Sequence, residues 1–320
     1  RLRLTFKMMR SDSRLIRTMC HSHGFMQCSS KNNVIWMGAP VKSVRMRELM
    51  PWQRLNQFPR STELTKKDRL YENIERSKSI FESFDFIPEF YVTPRENRKM
   101  ENAFVRVAKG EFIVKPTNSR QGKGIFFANS MADIPAEGPL LVSRYLKDPY
   151  LVNNHKFDLR IYVAVTSFYP LVAYVYSEGL ARLASRPYDT SADSNEYVHL
   201  TNYSINKNST SFVRNESGHK WTLGALLRYV ENEGKDAKLL MLRIEDLIVK
   251  SLLSIQNSVA TASRTNFELF GFDVLVDQAL KPWLLEVNLS PSLACDAPLD
   301  SLLKTRLIAD LLNLACVPLL

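Results

Sequence analysis

The sequence predicts a fold of mixed α/β or α+β class, and three observations carry that prediction. Short apolar runs with strand character recur at 111–115, 140–144, 159–167, 171–176, 271–276 and 283–287. Two longer stretches, 223–233 and 239–261, read as helices. The two kinds are interspersed without the strict alternation that a parallel βαβ sheet requires. A chain of 320 residues with 45% hydrophobic content can bury a large core, as one big domain or two to three small ones.

Taken in order, Val34-Ile35-Trp36-Met37 followed by Gly38-Ala39-Pro40 reads as a short strand and a turn. Pro59 breaks the chain, and Ser61 or Thr62 can then cap a helix whose face takes Leu64, Leu70, Ile74 and Ile80 with imperfect spacing. Glu111-Phe112-Ile113-Val114-Lys115 is a strand ending at Pro116. Polar and glycine residues follow, and Ile125-Phe126-Phe127 opens a second strand. This is a strand–loop–strand unit with a mobile loop at 117–124. There is no internal repeat and no low-complexity tract.

Charge is unevenly placed. The net charge is +10, and residues 1–60 hold twelve Lys or Arg against only Asp12 and Glu48, so the whole excess sits there. A basic module on a neutral body points to an acidic partner, while a solvated surface is the plainer alternative. Residues 1–60 contain no zinc-finger or RRM signature, which argues against nucleic acid. Four Cys do not make a disulfide framework. Cys20 and Cys28 fit no common zinc spacing, and reduced cytosolic thiols are expected. No apolar run approaches the ~18 residues of a membrane span. The first residue is Arg1 rather than Met, as in a fragment of a longer chain, so a targeting signal can be missing.

The strongest chemical signal is acidic. Asp273 lies in Gly271-Phe272-Asp273-Val274-Leu275-Val276, and Glu286 and Asn288 lie in Trp283-Leu284-Leu285-Glu286-Val287-Asn288. Strand alternation puts Glu286 and Asn288 on one face. Two antiparallel strands would bring Asp273 beside Glu286. A carboxylate inside an apolar run is costly to bury unless paired or metal-bound. Two carboxylates and an amide oxygen suit Mg²⁺ held together with phosphates, although acids facing solvent would give the same pattern. Lys156, Asp158 and Arg160 alternate along a second strand, a row able to grip phosphate or carboxylate, with Asp158 holding the two cations in place. Lys115 precedes Ser119-Arg120-Gln121-Gly122-Lys123-Gly124, a glycine-containing cationic loop that matches neither the Walker nor the Rossmann pattern. Val198-His199-Leu200-Thr201-Asn202-Tyr203 is a polar cluster that a turn would equally explain.

These segments occur in an order that resembles the tubulin–tyrosine ligase-like family, an ATP-grasp group. The carriers are Phe58-Pro59-Arg60-Ser61 with Leu64-Thr65-Lys66-Lys67-Asp68, Ile113-Val114-Lys115-Pro116, Lys156-Phe157-Asp158-Leu159-Arg160, Gly179-Leu180-Ala181-Arg182, His199-Leu200-Thr201-Asn202-Tyr203-Ser204, Gly271-Phe272-Asp273 and Leu285-Glu286-Val287-Asn288. The run from Leu289 through Cys295 to Asp300 is most similar to the polyglutamylase branch.

The resemblance implies an ATP-grasp fold with a basic N-terminal domain at 1–60, a central subdomain at 61–145 and a C-terminal subdomain at 146–320. It implies Asp273, Glu286 and Asn288 as magnesium ligands, and Lys115 and Lys67 on the ATP phosphates. Lys156, Asp158 and Arg160 match nucleotide and acceptor-site residues, Arg182 an arginine near the amino acid and phosphates, and Thr201 and Asn202 further nucleotide contacts. Ser143, Arg144, Tyr145 and Leu146 lie where the adenine-binding segment runs. Arg160, Arg182 and Glu286 are the catalytic candidates. The implied reaction is ATP-dependent ligation of free L-glutamate to glutamate γ-carboxylates in acidic tails, tubulin above all, through an acylphosphate. The implied setting is the cytoplasm and cytoskeleton, including the cilium or basal body. Cations of residues 1–60, among them Arg45, Arg47 and Arg54, would meet the acidic tail. The same fold also serves glycine or tyrosine ligation, and an inactive microtubule-binding module is the rival of another class. One departure stands out: the loop of the close branch reads Val-Ala-Ser-Ser-Arg-Gly-Arg-Gly where this chain has Thr117-Asn118-Ser119-Arg120-Gln121-Gly122-Lys123-Gly124, so the arginine is shifted by one position. The stretches before Trp221 and Phe267 also look shortened.

Overall fold

The structure is a computed structural model that describes residues 4–30, 32–41, 46, 48–106, 112–117, 122–189, 195–206, 209, 219–259 and 265–316. The basic N-terminal segment folds as a small parallel sheet: β1 (Thr5–Met9), β2 (Met26–Gln27), β3 (Val34–Met37) and β4 (Arg54–Leu55), ordered β2-β1-β3-β4. Helix α1 (Arg14–Ser22) crosses between β1 and β2, and its N-terminus is capped where Ile16 N donates to Ser13 Oγ. Ile16, Met19 and Cys20 of α1 bury against Phe6 and Trp36.

The break after Pro59 leads into two helices rather than one. Backbone at Lys66 is extended between α2 (Thr62–Thr65) and α3 (Lys67–Lys78). Leu64, Leu70 and Ile74 are buried as the periodicity predicts, whereas Ile80 lies beyond the helix end and is 70% exposed. The face formed by Leu64, Leu70, Tyr71 and Ile74 joins the largest core, shared with the third sheet.

A second, antiparallel sheet contains β5 (Phe90–Val92), β6 (Phe112–Pro116), β7 (Phe126–Ala128) and β8 (Leu140–Arg144), in order β5-β8-β6-β7. Helix α4 (Asn97–Arg106) closes one face through Met100 and Ala103. The strand–loop–strand reading therefore holds, although Glu111 and residues 118–121 lie outside the described residues.

The third sheet is antiparallel: β9 (Leu151–Val152), β10 (His155–Phe168), β11 (Leu171–Leu183), β12 (Lys220–Thr222), β13 (Glu268–Val276) and β14 (Pro282–Leu289). Its path is β12-β11-β10-β13-β14, with β9 beside β10. The short helices α5 (Glu196–His199) and α6 (Tyr203–Asn206) carry the polar cluster, and α7 (Leu223–Asn232) and α8 (Ala237–Val259) cover one face of the sheet. Helix α9 (Pro298–Cys316) packs with α1. The strand 171–176 is longer than its apolar run, because β11 continues through Gly179 and Arg182. Period-2 alternation divides β10: Phe157, Leu159, Ile161, Val163 and Val165 enter the core under α7 and α8. Lys156, Asp158 and Arg160 must therefore emerge on the opposite face. Among the described residues, no helix is long and apolar enough to cross a membrane.

Candidate active site

A cleft of about 470 Å³ opens between the second and third sheets. One wall holds Ile113 and Lys115 from β6 with Ser143 at the end of β8 and Arg144, Tyr145 and Leu146 beside it. The other holds Lys156 and Asp158 from β10, Asp273 from β13, and Glu286 and Asn288 from β14. Lys67, at the first turn of α3, and Gly122, Thr201 and Asn202 complete the lining.

Register explains the acidic group. Asp273 sits opposite Arg160 on β10 and opposite Glu286 on β14. The expected adjacency of Asp273 and Glu286 is thus real. Asn288 Nδ2 donates to Glu286 Oε1 at 3.2 Å and to Asp273 Oδ2 at 3.3 Å. Arg160 forms a two-pronged pair with Asp273, its Nε donating to Oδ1 at 2.5 Å and its Nη2 to Oδ2 at 2.9 Å. Arg182 donates from Nε to Asp158 Oδ1 at 2.6 Å and from Nη2 to Asp273 Oδ2 at 2.9 Å. Asp158 therefore grips Arg182, rather than Lys156 and Arg160 as the alternation within its own strand led one to expect. Burial alone would raise the Asp273 pKa, but the two guanidiniums outweigh it and hold the carboxyl well below the usual carboxylate range. Glu286 instead pairs with Lys67, Nζ to Oε2, at 3.0 Å.

Among the described residues, Lys115 and Lys156 of the cleft have no carboxylate partner. Lys115 has no ion pair among the described residues, and burial pushes its ammonium down to about 8, with Lys67 adding repulsion against the pull of Glu286. Lys156 is buried in an aromatic box: Nζ donates to Tyr145 Oη at 2.9 Å and lies 4.3 Å from the Tyr145 ring centre. Burial, then repulsion from Lys115, lowers it to about 7, with Asp158 opposing. Tyr145 Oη in turn meets His199 Nδ1 at 2.8 Å.

The structure brings Lys67, Lys115, Ser143, Arg144, Tyr145, Leu146, Lys156, Asp158, Thr201, Asn202, Asp273, Glu286 and Asn288 to one cleft, with Arg160 and Arg182 behind Asp273. Of the expected phosphate cover, Gly122 lines the cleft while Lys123 and Gly124 do not. Arg120 and Gln121 lie outside the described residues, as do Arg45 and Arg47. Gly122 has φ +76°, and a Cβ there would come within 2.7 Å of Ile205 and 3.1 Å of Asn202 Oδ1, so glycine is needed to seat the loop on that residue. Sequence reasoning missed Tyr188, whose hydroxyl donates to the Lys147 carbonyl at 2.8 Å and whose ring faces Lys156 at 5.9 Å. No local pattern marks it, because it joins the box only through the turn after β11.

The arrangement suits a polyanion with a divalent cation. The buried Ser143 Oγ has no hydrogen-bond partner among the described residues and belongs to a residue of the cleft wall, as a ligand contact would. Two carboxylates converge on Asn288, whose amide N–H groups take the place a cation would occupy; turning that amide presents its oxygen instead. Among the described residues, no cluster of three or more His, Cys, Asp or Glu forms a self-sufficient metal cage.

Together, two antiparallel sheets closing on a cleft of lysines and paired acids define a mixed α/β protein with the ATP-grasp-like arrangement. The tubulin-tyrosine ligase family matches residues 44–320, and this chain belongs to that family. The chain is 91% identical over 352 aligned positions to "Tubulin polyglutamylase ttll-5" of Caenorhabditis elegans, covering all of this chain and 48% of that protein. It is 45% identical to human "Tubulin polyglutamylase TTLL5", covering 97% of this chain and 26% of the relative. It is 41% identical to mouse "Tubulin monoglutamylase TTLL4", covering 89% and 26%. The chain thus spans half or less of the length of these relatives.

Proposed function

We propose that this chain is the catalytic unit of an ATP-dependent ligase that joins free L-glutamate to glutamate side chains in acidic protein tails, with tubulin as the acceptor. One observation carries the nucleotide part: among the described residues, half-buried Lys115 and buried Lys156 are cleft amines without carboxylate partners, and an incoming phosphate group would supply the missing charge. The names of the relatives support the acceptor and the added amino acid.

In this reading the nucleotide base stacks along residues 143–146, and Lys115 and Lys67 draw the phosphates toward β14. A divalent cation would be held by Asp273, Glu286 and the Asn288 carbonyl oxygen, and when bound it neutralises phosphate charge. The acceptor γ-carboxylate oxygen attacks the terminal phosphorus, and ADP leaves. The neutral amine of glutamate then attacks the acylphosphate carbon. Phosphate departs, the nitrogen loses a proton, and an isopeptide bond remains. The chain's own contribution is positioning and charge neutralisation, with no covalent nucleophile. Arg160 and Arg182 fix Asp273 from behind the cleft. The work belongs with the cytoskeleton. The test is mass spectrometry of tubulin-tail peptides after incubation with ATP, magnesium and glutamate, glycine or tyrosine. Addition of 129-Da glutamyl units (about 129 Da each, by residue mass) supports the reading, and preferential glycine or tyrosine addition overturns it.

A further inference from the structure

Glu268, at the start of β13, is a fully buried acid to which the reaction gives no task. Period-two alternation puts it on the face of β13 that Phe270, Phe272 and Val274 bury in the core, opposite the face that carries Asp273. A carboxyl buried there costs free energy unless donors reach it. Two do, and both lie in one turn far away in sequence. Phe58 N donates to Glu268 Oε2 at 2.9 Å, and the Ser61 hydroxyl is a second donor. We propose that Glu268 is a positioning residue: it clamps the turn 58–61 and thereby aims Lys67 at the phosphates of the nucleotide. The effect on nucleotide rests on the reading of Lys67 given above.

The first support is strain. Arg60, between the two clamped residues, has φ +59°, in the left-handed region that a residue with a Cβ adopts at a cost. Such a turn persists where its ends are fixed. Upstream, Leu55 N donates to the Thr265 carbonyl at 2.8 Å, and Asn266 Nδ2 donates to the Gln57 carbonyl at 2.6 Å. The ring of Phe58 stands edge-on to Phe168, with centroids 4.9 Å apart. The chain is thus strapped along the residues that lead into β13, and Glu268 is the tie at the point where it turns away. Glu268 Oε1 has no hydrogen-bond partner among the described residues, so the polar contacts of this carboxyl go to the turn.

The second support is leverage. Glu63 N and Leu64 N donate to the Arg60 and Ser61 carbonyls at 2.9 and 3.0 Å, so the turn itself starts α2. That helix is only four residues long, and Ser61 gives it no side-chain cap. A helix so short has little stability of its own, and its direction follows the turn before it. Lys66 is extended, and Lys67 follows with Nζ 3.0 Å from Glu286 Oε2. Thr62, Thr65, Lys66 and Lys67 all line the nucleotide cleft. A shift of the turn is therefore passed on to the cleft wall, although Glu268 does not line the cleft.

The first part of the test needs no ligand. Hydrogen exchange of the whole chain, read by mass spectrometry, is compared among the parent, Glu268→Leu, Glu268→Gln and Ser61→Ala. Leu fills the volume without an acceptor, Gln keeps the acceptor, and Ser61→Ala removes one donor with no change to the core face. Peptides covering 58–67 should exchange roughly three- to tenfold faster in Glu268→Leu, the effect of one hydrogen bond. The rise should be smaller in Ser61→Ala and absent in Glu268→Gln, with β11 unchanged in all. Parental exchange at 58–67 in both Glu268→Leu and Ser61→Ala overturns the clamp. The second part is ATP affinity by calorimetry. Glu268→Leu should weaken ATP about three- to tenfold, Glu268→Gln should restore parental affinity, and Glu268→Leu should add nothing in a Lys67→Met background. A further loss of the same size in that background means that Glu268 does not act through Lys67, and overturns the proposal. Parental ATP affinity in Lys67→Met overturns the phosphate role of Lys67 instead, and the exchange rates still decide the clamp.

Discussion

Asp273→Asn separates two roles that its position allows. The carboxylate is 2% exposed and accepts from Arg160 twice and from Arg182 once. If the pairing seen in the structure governs stability, neutralising Asp273 leaves Arg160 buried without a counter-charge, and Arg182 with Asp158 alone. Breaking a buried pair from one side costs about 3–5 kcal/mol. The amide keeps one acceptor oxygen, so the lower half of that range is expected. With an unfolding entropy of about 2.1 cal/mol/K per residue, that corresponds to a fall in Tm of about 4–6 °C for a chain of this length. If Asp273 were only a cation ligand beside Glu286, removing its charge would relieve repulsion and raise the Tm. Thermal denaturation without nucleotide or divalent cation reads the sign directly, and an unchanged or higher Tm refutes the ion-pair reasoning. Ligation should be lost in either case, so activity alone cannot distinguish the roles.

Glu286→Gln is expected to abolish ligation with a Tm within about 1–2 °C of the parent, because its pair with Lys67 is partly solvated; near-parental activity at saturating magnesium contradicts the cation assignment. Lys156 titrates near 7 and Lys115 near 8, so above pH 8 both amines are largely neutral before the nucleotide arrives. ATP binding should then take up protons and weaken as pH rises from 7 to 9, a trend calorimetry in buffers of different ionisation enthalpy will detect, and one diminished in Lys156→Met. Glu268, fully buried with Oε2 accepting from Phe58 N at 2.9 Å, is raised by burial from the ordinary value to about 8. Its folded form holds a proton that the unfolded chain has lost, so its contribution is complete below about pH 4.5 and disappears as pH rises through 8. Glu268→Gln should therefore gain Tm relative to the parent between pH 6 and 9, and parallel Tm–pH curves contradict that.

Much of this site is legible in sequence because strands write their facing in a period of two. Lys156 and Asp158 on β10 alternate with apolar residues that enter the core and, with Glu286 and Asn288 on β14, line one cleft, while Arg160 on the same face of β10 backs it through Asp273. What alternation cannot give is the partner across strands. Asp158 finds Arg182 because β10 pairs with β11 in the register that sets those two residues opposite each other, and an unrelated register would leave Lys156 and Arg160 as its nearest cations. Tyr188 was equally hidden, and the polar cluster that holds His199 gave no sign that it backs Tyr145 and Lys156, since that box is assembled from separate parts of the chain. Among helices, α7 and α8 follow from periodicity within about two residues. The interruption at Lys66 does not, because the sequence offers neither Gly nor Pro there. The parallel N-terminal sheet shows the same limit: β2 is only two residues long, and its pairing with β1 depends on α1 crossing over them.

The charge pattern links the two ligands of the proposed reaction. Each cleft carboxylate already has a protein cation: Asp158 has Arg182, Asp273 has Arg160 and Arg182, and Glu286 has Lys67. A divalent cation arriving alone must compete with Lys67 for Glu286. A nucleotide arriving alone brings phosphates that attract Lys67 as well as Lys115, and so loosens that competitor. Phosphate binding therefore strengthens the cation site, and by linkage the cation must strengthen phosphate binding by the same factor. The Lys67–Glu286 pair, bridging the start of α3 and β14, thus keeps the cleft electrically closed until a ligand offers both charges together.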